Sequence, residues 1–446
     1  MSATTADTTD VGQLRRRQMF LWLGVVAALA LLLSLYSAGF FLYAAVVTAA
    51  VLGIGAFLPA ASLLGLEVRR SLGAETVEIG GTVESRLVLH NHKQLPALWV
   101  FWRDAIEPGL AADGVTCGFR TLASEETLHT ACVLHGVRRG LYRVGPAVIE
   151  TSDPLGLVRR FRVDPEVRFL TVLPRTVAIG PGWPLGHSPI HEVPRRRSLF
   201  EDPSRFLGVR DYRQGDGLRR IHWRATARSG RLQVKLYEPA VLEGVLLAVE
   251  MGKAAFPAAA APDTEEDPGV ELTVTAAASI AEFVLAHGQD VGLISNGGDA
   301  ADRYPSDWTG GSFRRMEDVV QETEARRRMP AFRPVEVEPG RGSWQLDRLR
   351  SALARLTLAP GLTLAELLEA EAPRLSRAHV ILVVTPDLGP GLGGALGTLR
   401  RSGFDVGVIW IQKGGAGTVA TGLLESVPIY PVLEESDLER LGVQSL

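Results

Sequence analysis

Two apolar runs near the N-terminus, Met19–Leu35 and Phe40–Leu66, contain no charged residue and are separated by Ser37-Ala38-Gly39. An α-helix needs roughly 20 apolar residues to cross a bilayer, so each run reads as a candidate span. A basic start and a short apolar stretch also fit a signal peptide for the first run. The second run follows at once, which favours a transmembrane helical hairpin over 19–66. Basic residues lie at both outer ends, Arg15 to Arg17 and Arg69 with Arg70, while the connecting loop has none. The positive-inside bias then places both ends, and the large C-terminal portion, on the cytoplasmic side of the cell membrane. The lipid bilayer is thus the first expected partner. Residues 1–18 end in those arginines after a small, polar start and are expected as a disordered cytoplasmic tail.

A chain of 446 residues has room for two or three domains. Its net charge of −3 excludes the whole molecule as a polyanion binder. Two cysteines, Cys117 and Cys132, are too few for a disulfide framework or a metal cluster. They are expected as buried thiols of a reducing compartment, with a single bridge between them left open.

From 67 to 190 the pattern changes to short alternating segments. Glu75-Thr-Val-Glu-Ile, Val83 to Leu89, Leu98-Trp-Val-Phe-Trp and Ala147-Val-Ile-Glu are punctuated by Gly80-Gly81, Asn91-His92-Lys93, Pro108-Gly109 and Asp113-Gly114. Strands at this spacing imply an antiparallel β-sandwich. Gly180 to Pro194 reads as a linker. Beyond Glu238-Pro239, over 241–446, the signals are α/β. Val245-Leu-Leu-Ala-Val suits a strand buried on both faces. A helix over Thr273–His287 carries Val274, Ala277, Ile280, Ala281 and Val284 on one stripe. Strands at Asp290–Ser295, His379–Val384 and Phe404–Ile411 alternate with helices at Trp344–Leu356, at Thr363–Ala370 and one ending near Arg401, implying a three-layer, Rossmann-like open sheet. Asn296 to Gly342 reads as a surface loop with a partial helix around Arg314–Arg327.

Between these modules lies a basic segment, 191–240. From His191 to Tyr237 there are eleven Arg and one Lys against three Asp and two Glu, so 12 − 5 = +7. Asp216 reads as the N-cap of a helix that Gly230 ends. Leu218, Ile221 and Ala225 recur on one face of it, and Arg220, Arg224 and Arg228 on another. Leu232, Val234 and Leu236 then alternate as a half-buried strand. Arginine forks suit carboxylates or phosphates, and Tyr212 and Trp223 offer faces on which guanidinium groups stack. The competing reading is a solvated face with internal pairs to Asp211, Asp216 and Glu238.

The residues Arg210-Asp-Tyr-Arg-Gln-Gly-Asp216, Arg220-Ile-His-Trp223, Thr226-Ala-Arg228 and Leu232 to Lys235 resemble the bacterial family known as domain of unknown function 58. One departure is His222, where many members carry Asp. The resemblance implies a membrane protein that accompanies a MoxR-type AAA+ ATPase, with a C-terminal part similar to a von Willebrand factor A domain. Such domains often hold Mg²⁺ through Asp-x-Ser-x-Ser and a later Asp. Here Glu250-x-Gly252-x-Ala254 and Asp387 stand in those places, so no metal and no cofactor are expected. The partner-binding residues expected are Arg210, Tyr212, Arg213, Gly215, Asp216, Arg220, His222, Trp223, Arg224 and Arg228. The expected function is a non-catalytic membrane scaffold or adaptor docking that ATPase or its client. Competing readings are a hydrolase using Asp216 and His222, which lacks a nucleophile elbow, a metal-dependent adhesion domain, and nucleic-acid binding, which Asp211 and Asp216 oppose. No enzyme activity and no nucleic acid are expected.

Overall fold

The structure, a computed structural model, describes residues 24–31, 40–153, 156–164, 166–180, 201–212, 221–239, 244–256, 267–304, 311–313, 333–412 and 427–440. Most of the expected linker and the helix expected at Arg314–Arg327 lie outside the described residues. The chain divides into two compact units. Met1–Arg138, Tyr142–Leu170 and Tyr304–Arg328 make one; Arg139–Leu141, Thr171–Arg303 and Met329–Leu446 make the other.

The first unit begins, among the described residues, with helix at 24–31 and then α1 (Phe40–Leu63). Residues Leu42–Leu63 are long and apolar enough to cross a membrane; none of residues 42–58 is buried, while Pro59, Ser62 and Leu63 are. After Gly65, whose φ of +68° turns the chain, come β1 (Leu66–Leu72), β2 (Thr76–Glu78), β3 (Thr82–Asn91), β4 (Ala97–Ile106), β5 (Leu110–Gly114), β6 (Cys117–Leu122), β7 (Thr127–Gly136), β8 (Gly140–Ser152), β9 (Arg159–Val163) and β10 (Arg168–Leu173). The order β1-β3-β7-β5 forms one antiparallel sheet. The other is built around β8, which pairs with β4 and β9. One core draws Val68, Leu87 and Leu89 from the first sheet, Val100, Trp102 and Ile149 from the second, and Leu63 from the end of α1. Side chains from two sheets in one core are what a sandwich requires.

Two expectations about this unit change. Alternation along β1 turns Leu66, Val68 and Arg70 inward together. Arg70 is therefore no membrane-flanking cation. Its guanidinium is buried against Asp104, Nη1 and Nη2 donating to the two carboxylate oxygens at 2.7 and 2.5 Å. Cys117 is exposed, while Cys132 is buried, and both are free thiols. Burial pushes the Cys132 thiol up, Asp104 adding in the same direction.

The second unit opens with an antiparallel hairpin, β11 (Glu201–Asp211) and β12 (Gln233–Pro239), with α2 (Trp223–Ser229) between them. Its sheet comprises β13 (Gly244–Val249), β14 (Asp290–Ser295), β15 (Val335–Gly340), β16 (His379–Thr385), β17 (Val406–Ile411) and β18 (Ile429–Val432), in the order β15-β14-β13-β16-β17-β18. All neighbours are parallel except β15, which runs antiparallel to β14. The helices are α3 (Pro268–Ala286), α4 (Ser343–Arg355), α5 (Leu364–Glu371), α6 (Pro390–Arg401) and α7 (Glu435–Glu439). Successive residues of β13 serve opposite faces. Val245, Leu247 and Val249 pack with α3 and α4, and Leu246 and Ala248 with α5 and α6. This is the expected three-layer α/β arrangement. The apolar helix α3 has the composition of a span but is mostly buried, as a core helix is. β15 corrects the expected loop over Asn296–Gly342: Val335-Glu-Val-Glu is an edge strand whose alternation was present in the sequence.

Candidate docking surface and strand-end site

The basic segment folds as a strand, a short helix and a returning strand. Tyr212 N–H donates to Leu232 O and His222 N–H to Gln233 O, both at 2.8 Å, closing the hairpin around α2. The helix begins at Trp223. His222 is its N-cap, with Nδ1 accepting from Ala225 N–H at 3.0 Å, and Ile221 pairs with Val234 as an isolated bridge before it. A ring nitrogen thus fills the role that a carboxylate commonly plays at an N-cap. Gly230 ends the helix at φ +68°, as expected. Thr226 Oγ1 accepts from Gln233 N–H at 3.0 Å, tying the helix to β12. Asp211 accepts from the Gln233 side chain and Arg210 donates to Asp211 O, so this carboxylate belongs to the hairpin itself.

No residue of α2 is buried. Trp223 is 68% exposed, and Arg224, Arg228 and Arg231 are exposed without an ion pair to any described residue. Leu232 and Val209 are exposed beside them. A seven-residue helix has little intrinsic stability, and this one is held by its two caps and Thr226 rather than by packing. The structure brings Arg210, Tyr212, His222, Trp223, Arg224 and Arg228 into this one element. Arg213, Gly215, Asp216 and Arg220 lie outside the described residues.

In an open α/β sheet, ligands bind beyond the carboxyl ends of the strands where the order reverses. Here that point falls between β13 and β16, and Glu250 follows the first directly. Glu250 Oε1 accepts from Gly252 N–H at 2.8 Å and from Asn296 Nδ2 at 2.6 Å. Asn296 also donates to Leu362 O and accepts from Met251 N–H at 2.8 Å. A Cβ placed on Gly252 would lie 2.7 Å from Glu250 Oε1, so the carboxylate fills the space a serine side chain would need. Asp387 lies beyond β16, exposed, with Thr385 Oγ1 accepting from its N–H. Burial pushes the Glu250 carboxyl up, the charge of Asp387 adding to it, against the hydrogen bonds from Asn296 and Gly252. These residues do not fit the Asp-x-Ser-x-Ser type of Mg²⁺ shell: Glu250 Oε1 is taken by two amide donors, and positions 252 and 254 carry no side-chain oxygen. No group of three or more His, Cys, Asp or Glu placed to hold a metal occurs among the described residues. Sequence reasoning missed Asn296, whose only signal was its place at the end of a strand next to the switch point.

A cleft of about 490 Å³ lies along α4 and the edge strand β15. It is lined by both charge signs, including Asp299, Asp347, Arg348 and Arg355, and Arg348 stacks over Trp344 at 4.7 Å. Arg355 Nε lies 3.2 Å from Asp299, so part of its charge is matched internally.

The geometry defines a class: a chain with an apolar N-terminal helix, a β-sandwich and a doubly wound α/β unit preceded by a basic hairpin. Residues 208–386 match the family model described as Protein of unknown function DUF58, running from β11 of the hairpin to the end of β16. No curated protein matches. Among solved structures, a CARDB domain from Pyrococcus furiosus aligns at 16% identity over 24% of this chain and 94% of its own, with a TM-score of 0.19. An ASH/PapD-like domain of human CEP192 aligns at 17% identity over 24% and 83%, with a TM-score of 0.16. A FixG-related protein from Vibrio parahaemolyticus aligns at 7% identity over 24% and 96%, with a TM-score of 0.18. Likenesses at such scores carry no argument about fold or function.

Proposed function

We propose that the protein is a membrane-anchored, non-catalytic adaptor whose α2 surface docks a MoxR-type AAA+ ATPase or its client at the cytoplasmic face of the membrane. The carrying observation is that α2 buries none of its residues while presenting Trp223, Arg224 and Arg228. An aromatic anchor beside exposed arginines is the composition of binding hot spots, and it calls for an acidic partner surface. The α/β unit is read as similar to a von Willebrand factor A domain, supported by its strand order and its single antiparallel edge strand. Its strand ends are tied by Glu250 and Asn296, which supports a structural rather than a metal-dependent adhesive role.

Double charge reversal, Arg224→Glu with Arg228→Glu, tests the docking claim. Both side chains are exposed, so the fold should survive, and co-purification of the ATPase from solubilised membranes should be lost. Undiminished recovery removes the claim.

A further inference from the structure

The end of α1 is built into the sandwich, and the contacts form a ladder that sets depth. Arg162 donates to Leu63 O at 3.4 Å. Lys93 Nζ donates to Ala61 O and Ser62 O at 2.6 and 3.0 Å, a cation on the carbonyl end of a helix. Thr151 Oγ1 donates to Pro59 O at 2.9 Å. One turn nearer the N-terminus, a Cβ on Gly55 would lie 3.6 Å from Asp153 Oδ2. From Thr151 to Asp153 the end of β8 therefore runs alongside α1 from Pro59 back to Gly55. The sheet register fixes what shares those levels: Arg160 lies opposite Thr151, and Arg159 opposite Ser152. On the other side Val100 lies opposite Thr151, so Trp99 precedes it in the same direction, inside the irregularity between Ala97 and Val100.

Leu42, Val46, Ile54 and Phe57 of α1 are all more than half exposed. From Phe40 to Phe57 is 18 residues, about 27 Å of helix at 1.5 Å per residue. That nearly matches a hydrocarbon core of about 30 Å. The apolar thickness is used up at the level where Trp99 and Arg159 stand. Trp99 has φ +50°, a conformation a bulky residue adopts only when its surroundings impose it.

We infer that this rim of the sandwich, Trp99 with Arg159 and Arg160, is a seat for the lipid headgroup layer, with Trp99 at the interface and the arginines toward anionic phosphates. Tryptophan favours that layer, and arginine there gains from an anionic surface. Arg159 also pairs with Glu150 at 3.2 Å, whereas Arg160 has no ion pair to a described residue. The inference rests on reading α1 as a span.

The test uses the full chain with Cys117→Ser, in vesicles of phosphatidylcholine and phosphatidylglycerol, with a nitroxide at one introduced cysteine. Oxygen and a nickel chelate report depth at Val46→Cys, Trp99→Cys and Val115→Cys. Val115 is exposed near Asp104, away from α1 along β4. The expected result is lipid accessibility at 46, water at 115, and lost nickel-chelate collisions with intermediate oxygen access at 99. If Trp99→Cys disturbs the bulge, Arg160→Cys reads an adjacent level of the same rim. A label at the rim as wet as that at 115, with 46 in lipid, overturns the seat and leaves the span standing. Water at 46 overturns the span and the seat with it.

Discussion

Glu250 shows how one residue decides what a strand end can do. Its carboxyl is held up by burial first, with Asp387 contributing, so the folded state binds its proton over a pH range in which the unfolded chain has lost it. Stability then falls as pH rises from the ordinary carboxylate value toward the raised one, because the folded state holds more protons there. Glu250→Gln removes that titration and should flatten thermal midpoint against pH across this window. An unchanged slope means that the proton is held elsewhere. The same site explains Gly252, since a side chain there would meet Glu250 Oε1 and Asn296 Nδ2 at once.

Among elements, α2 depends most on its ends. His222→Ala removes the acceptor for Ala225 N–H and should cost about 1 kcal/mol of local helix stability. With no buried face to compensate, that converts to about five-fold faster amide exchange at Ala225 and Thr226. His222→Asp should keep their protection, and equal exchange in all three proteins would deny the cap its role. The sequence made this helix legible at its C-terminal end, where Gly230 has one plausible use. Its start was not, because several polar residues before Trp223 can cap and the choice depends on the pairing of Ile221 with Val234 and of His222 with Gln233. Strands such as β13 and β14 were legible because a short, largely apolar run on either side of the helical pattern of α3 has few other uses. β15 was hidden by the charged context of its own alternation. Arg70 was misread for a related reason: its partner Asp104 lies on another strand, 34 residues away, and local pattern does not show which strands become neighbours.

At the scale of the molecule, each unit has its own hydrophobic core. The sandwich core gathers Leu63, Leu89 and Ile149, and the α/β cores gather Leu247, Leu293 and Leu382 on one face and Ile381 with Leu396 on the other. No described residue belongs to both sets. Leu89 is fully buried, and Leu89→Ala should cost about 2–5 kcal/mol through lost transfer energy and the cavity left behind. If each core folds as its own cooperative unit, that loss stays where it is made. Peptide-resolved hydrogen exchange on the full chain should then show faster opening in β1, β3 and β7 and unchanged protection in β13 and β16. Acceleration in all five strands would mean that the cores open together. In that case a load placed on the α/β unit would be transmitted into the sandwich and α1, which is what the docking role proposed above would exploit.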